Sequence, residues 1–226
     1  MCSEQGPRVI EIDRKGHFVH DIPLPARFND ARNNRSLESL AISPSGRYLF
    51  TTTEAALKRD GAGATRRAGT RVRIVRLDRT NGALTEHTYV TDPMPNDDGD
   101  WGVADLAALG DGQLLVLERG WSPGHGNTVR VYETSLDDDR ASCVDVDRLS
   151  SGSPALTKTL RIDLSKLAAT GFPPSKQPQA SPVLDNFEGI AIGPKLKSGS
   201  PSLVMVSDDN GRRDQVARIL VLAFPA

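Results

Sequence analysis

The sequence predicts an all-β protein, a β-propeller of four-stranded antiparallel blades, of which the chain holds about three blades' worth. Three observations predict it. A segment of one pattern recurs three times along the chain. Each copy is followed by short runs in which apolar and polar residues alternate, the period of a half-buried strand. Turns rich in Gly, Ser, Pro and Asp separate the runs, as hairpin connectors do.

The elements follow in chain order. Residues 1–25 read as the end of one blade: "SEQGP" closes a second strand, with Glu4 in an acidic slot, and "RVIEID" and "HFVHDIPLP" are strands three and four. Residues 36–92 form a blade: "SLESLAISPSGRYLFTTTE" gives its first hairpin, then come "RVRIVRLD" and "ALTEHTYVT". Residues 102–165 form another, from "GVADLAALGDGQLLVLER" through "TVRVYETS" to "LTKTLRIDL". Residues 185–226 start a further blade, "NFEGIAIGPKLKSGSPSLVMVSDD", and stop after "ARILVLAF". Helix is expected only in "DLSKLAAT", as one short turn.

Three insertions, "AALKRDGAGATRRAGT", "DDDRASCVDVDRLSSGSPA" and "TGFPPSKQPQASPVLD", read as surface loops. Closed propellers have typically 4–8 blades. The chain is therefore expected to be the C-terminal part of a larger propeller, with open sheet edges inviting self-association.

Bulk properties narrow the function. Lys and Arg number 28 against 29 Asp and Glu, a formal net charge of −1. That balance gives no electrostatic case for nucleic acid or for an anionic membrane surface. No apolar run approaches the roughly 18 residues of a membrane span. The N-terminus lacks the basic start and apolar stretch of a signal peptide. Cys2 and Cys143 make neither a disulfide framework nor a zinc spacing, so two free thiols are expected.

The repeated segment carries acids where a buried strand should carry none. Overlaying the copies places Glu38, Asp105 and Glu188 on the first strands, and Glu54, Glu118 and Asp208 or Asp209 at the ends of the second. A buried carboxylate must be paired, metal-bound or turned to water. First strands of propeller blades line the central channel, so Glu38, Asp105 and Glu188 are expected to converge there.

Like charges held together raise one another's pKa unless a cation separates them. Oxygen donors without His or Cys select a hard cation, and Ca2+ suits flexible multi-oxygen sites. The candidate ligands are Glu38, Glu54, Glu118, Asn186, Glu188, Asp208 and Asp209. The alternative is structural: inner-strand acids that satisfy backbone N–H groups.

Other polar residues read more simply. Asn33 and Asn34 are turn residues, Arg32 and Arg35 solvated, and His125 a loop histidine with no Gly-x-Ser-x-Gly motif to serve. Trp101 and Trp121 are expected to pack between blades, the alternative being a cleft wall.

"RNNRSLESLAISPSGRYLF", "LERGWSPGHGNTVRVYE", "DNFEGIAIGP…LVMVSDDN" and "SEQGPRVIEIDRKGHFV" together resemble the bacterial phytase-like family, described by an esterase-like activity of phytase. The resemblance covers nearly the whole chain. It implies a propeller hydrolase acting on phosphoesters or related esters, periplasmic or secreted in a full-length form. On that reading Glu38, Asp105 and Glu188 are the catalytic acids. Arg119, or Arg130, grips a phosphate, and calcium polarises a phosphoryl oxygen and positions water. Two departures stand out. Ser36 and Ser39 occupy positions where the family favours glycine, and Asp105 is one methylene shorter than the family's Glu. The competing functions are a non-catalytic propeller scaffold and a calcium-dependent lactone hydrolase.

Overall fold

The computed structural model describes residues 1–3, 6–96, 98–167, 171–173 and 175–224. Glu4, assigned above to an acidic slot, lies outside the described residues. Among those residues the chain is all-β, fourteen strands in four antiparallel sheets. The first sheet joins β1 (Cys2–Ser3), β2 (Arg8–Ile12) and β3 (Phe18–Ile22). The second runs β4 (Leu37–Ile42), β5 (Tyr48–Thr53), β6 (Arg71–Asp78), β7 (Leu84–Val90). The third contains β8 (Asp100–Ala108), β9 (Gln113–Ser122), β10 (Gly126–Ser135) and β11 (Lys158–Asp163). The fourth has β12 (Phe187–Gly193), β13 (Ser202–Ser207) and β14 (Arg218–Ala223).

Each sheet is a run of neighbouring hairpins, so strands adjacent in sequence pair in space. The β4–β5 turn shows why. Gly46 takes φ 72°, which a side chain resists. Its N–H reaches Ser43 O at 2.8 Å, and Ser43 Oγ accepts from the Tyr48 N–H at 3.1 Å. The helix expected near residues 163–170 is a single 3-10 turn, Leu164–Lys166, capped by Asp163 Oδ1 accepting from Ser165 N. Residues 168–170 of that expectation lie outside the described residues. No helix among the described residues is long and apolar enough to cross a membrane.

The sheets bury their faces on one another in chain order. Val9 meets Leu37 and Val75; Ile74 and Phe50 meet Leu106 and Val116; Val131 and Leu117 meet Phe187, Met205 and Leu220. Burying each such side chain contributes about 1.5–3 kcal/mol. At the inner edge β4 lies beside β8, and β8 beside β12.

One position exposes the logic of this stacking. An arginine followed by an aliphatic residue recurs on every third-type strand: Arg8–Val9, Arg73–Ile74, Arg130–Val131 and Arg218–Ile219. Register supports the equivalence, since Arg8 pairs with Ser3, Arg130 with Glu118 and Arg218 with Ser207. The following sheet covers the first three aliphatic residues, leaving Val9, Ile74 and Val131 at 2%, 0% and 0% exposure. Ile219 is 71% exposed, and Val221 beside it 57%.

The acidic insertion after β10 is not a free surface loop. It folds back onto the second sheet, where Cys143 N donates to Glu86 O at 2.8 Å and Leu149 N to Asp60 Oδ1 at 2.8 Å. Buried Arg73 holds both Asp60 oxygens and donates to the carbonyls of Cys143 and Val146. Both cysteines are free thiols.

Candidate functional site

A β-bulge sits at one place in three of the four sheets. Leu37 pairs with Thr53 but Ser39 with Thr52; Val103 pairs with Glu118 but Asp105 with Leu117; Phe187 pairs with Ser207 but Gly189 with Val206. The extra residue is Glu38, Ala104 and Glu188 in turn. A bulge twists the strand and re-aims its side chain, and bulges gather beside functional sites.

This register corrects the sequence overlay. The counterpart of Glu38 and Glu188 in the third sheet is Ala104, and Asp105 matches Ser39 and Gly189. One position further along the second strands, Glu54 and Asp208 are matched by Arg119 instead of Glu118. The signal was in the spacing. Glu38 and Glu188 precede the alanine of "LAI" or "IAI" by three residues, whereas Asp105 precedes Ala107 by two.

The bulged ends converge on one cavity of about 240 Å3. Its walls are Asn34, Arg35, Glu38, Glu54, Asp100, Arg119, Glu188, Asp208 and Asn210, five carboxylates against two guanidinium groups. Arg119 Nη2 donates to Glu188 Oε1 at 2.7 Å, and Asn186 Nδ2 donates to the same oxygen at 2.9 Å. Arg35 pairs with Asp100. Glu54 is drawn in through its backbone: Val103 N donates to Glu54 O at 3.0 Å, and Glu54 lies over Gly102, where a Cβ would clash with it. Asp208 is placed by its N–H on Asn186 O at 3.0 Å.

The remaining predicted acids go elsewhere. Asp105 spans two sheets, accepting from Ile190 N at 2.8 Å through Oδ2 and from Leu106 N through Oδ1. Burial pushes its carboxyl up to about 6, against those two N–H groups, which pull it down. Glu118 is fully buried and takes bonds from Tyr89 Oη, Trp101 Nε1, the Asp92 N–H and Lys158 Nζ. Burial raises its pKa, and Lys158 opposes that rise. Asp209 closes the turn ahead of β14, accepting from Gly211 N at 2.9 Å. Arg130 grips Asp92 instead of facing the cavity.

Among the described residues no group of three His, Cys, Asp or Glu side chains is placed to hold a metal ion. Glu188, one of the acids lining the cavity, already faces a guanidinium. What the geometry offers is a water-accessible set of proton acceptors with two fixed cations among them.

A second cavity, of about 320 Å3, opens beside the first and shares Asp100, Arg119, Glu188 and Asn210 with it. Trp121, Asn127, Gln177 and Gln215 belong to this one alone. Trp101 and Trp121 are expected to share one role. The structure separates them: Trp101 is buried on the Glu118 network, and Trp121 is 39% exposed on a cavity wall. Arg35 and Asn34, read as solvated and as a turn residue, also line a cavity.

The model of the Phytase-like family, described as esterase-like activity of phytase, matches residues 1–211. The chain belongs to the Phytase-like family. No curated protein and no solved structure matches it. Within this Phytase-like chain the match spans every residue of both cavities except Arg212 and Gln215.

Proposed function

We propose that the smaller cavity hydrolyses esters, and that the four sheets are propeller blades whose inner strands gather it at one end of a shared axis. The observation that carries this is the meeting of Glu38, Glu54, Glu188 and Asp208 with Arg35 and Arg119 in one polar cavity. A carboxylate there accepts the proton of an attacking water, the general-base role. The new bond forms between that water's oxygen and the acyl carbon or phosphorus. The bond to the leaving alcohol breaks, and the alcohol oxygen takes up a proton. Arg119 and Arg35 face the negative charge that develops on the non-bridging oxygen.

Charge sorts the substrates. Five carboxylates against two guanidinium groups repel a phosphate dianion. Neutral esters, lactones among them, are therefore the better substrates without an accompanying cation. Calcium enters as a proposal tied to phosphoesters, and it requires Arg119 to leave Glu188.

The experiment is a panel of a phosphate monoester, a carboxylate ester and a lactone, each assayed with Ca2+ and with chelator. Turnover abolished by Glu38→Gln or Glu188→Gln supports the reading. Absence of turnover on all three in both conditions overturns it and leaves the scaffold reading.

A further inference from the structure

The larger cavity has features that ester chemistry does not use. Asn127, at the start of β10, is 2% exposed, yet neither its Nδ2 nor its Oδ1 has a partner. A buried amide left so is costly, by about 1–3 kcal/mol for each unmet group. The residue lines the cavity, so a ligand entering it stands next to this unmet amide. Its placement is enforced. Asn127 N donates to Gln179 Oε1 at 2.6 Å, and Gly126, at φ 77°, lets Pro178 O approach where a Cβ would collide.

Trp121, the cross-strand partner of Asn127, supplies a flat apolar wall beside this polarity. Its Nε1 donates to Gln177 Oε1 at 3.3 Å, which fixes the ring, and Gln177 Nε2 is anchored in turn on Asp214. Asn210 Nδ2 donates to Gln215 Oε1 at 3.1 Å, so a second amide pair closes the rim. The charges cancel: Asp100 and Glu188 are matched by Arg119 and Arg212. The volume falls at the low end of small-molecule sites, about 300–1,000 Å3.

We propose that this cavity binds a neutral pyranose ring. Side-chain amides present a donor and an acceptor side by side, which matches neighbouring hydroxyls that each donate and accept. The apolar C–H face of the ring lies on Trp121, an aromatic body with its N–H already satisfied. A nucleobase would be held between two aromatic faces, and among the described residues Trp121 is the one aromatic side chain on this cavity's walls. Because Arg119 and Glu188 line both cavities, the sugar is the alcohol part of the ester cleaved next door. That last step rests on the hydrolase reading; the binding does not.

The test uses neutral methyl glycosides of glucose, galactose and mannose, with a nucleoside as control, followed by saturation-transfer NMR and by tryptophan fluorescence. At least one glycoside is expected to give a saturable signal. Trp121→Ala and Asn127→Ala should each weaken it about tenfold or more, the factor that about 1.4 kcal/mol represents. Trp121 is partly exposed, so its removal leaves the fold intact by circular dichroism. Glu38→Gln should bind as wild type. The inference is overturned if no glycoside binds, if binding survives both substitutions unchanged, or if the nucleoside binds better. Glycoside binding with no ester cleaved would keep this site and sink the hydrolase.

Discussion

Arg119 Nη2 donates to Glu188 Oε1 across 2.7 Å and so ties β9 of the third sheet to β12 of the fourth. In register, this arginine stands where the second and fourth sheets carry Glu54 and Asp208. One cation thus sits inside what would otherwise be an unbroken set of acids. Arg119→Glu completes that set. In chelator its melting temperature should fall by several degrees, from a lost pair and a new repulsion together costing about 1–2 kcal/mol. Millimolar Ca2+ should restore it, while wild type stays indifferent. An identical melting curve with and without Ca2+ would show that the cavity cannot gather a cation even with an acid in place of Arg119.

Asp105 makes stability depend on pH in an unusual direction. Its carboxyl titrates near 6 in the folded chain and near 3.8 when unfolded. Between those values the folded state holds the extra proton, so stability falls as pH rises from about 4 to about 6. The full effect approaches 3 kcal/mol, and above pH 6 the penalty is complete. Asp105→Asn should flatten this decline relative to wild type in melts at pH 4.5 and 7. Parallel pH profiles for the two proteins would refute the assignment.

Glu118 predicts a stability effect and no direct effect on chemistry. Its carboxylate receives Lys158 Nζ at 2.5 Å together with the hydroxyl of Tyr89 and the indole of Trp101. Removing one partner of such a buried pair costs about 3–5 kcal/mol. Glu118→Ala should therefore unfold at markedly lower denaturant. Lys158 keeps Asp92 at 2.8 Å, so the loss belongs at the low end of that range. A substitution that leaves the midpoint in place would mean that the network is slack.

The fold was legible where its signal is local. Alternating runs such as "RVRIVRLD" and Gly-bearing turns such as "SPSGRY" mark strands and hairpins without outside help. The site was legible only in part, because its acids were read by type and not by register. A bulge shifts the count by one residue. A match by residue type therefore aligns Asp105, next to Ala104, with Glu38, and Glu118, next to Arg119, with Glu54. Asn127 and Asp100 escaped notice for another reason. Their significance depends on the loop near Gln179 and on Arg35, partners distant in sequence.

Ile219 and Val221 point outward from a face that the following sheet covers everywhere else in the chain. At the opposite end the first sheet turns Ile12 and Phe18 outward, beside the Arg8–Asp21 pair. These two faces are the halves of the sheet-on-sheet contact that recurs between neighbouring sheets within the chain. We predict that a second copy seats its first sheet on the fourth sheet of another, a head-to-tail contact continuous with that stacking. Sedimentation of the wild-type chain should thus show concentration-dependent association at micromolar levels. Ile219→Lys with Val221→Lys should abolish it while circular dichroism stays unchanged, since both residues are exposed. A wild-type chain that sediments as a monomer across the range would leave these faces without a partner of their own kind.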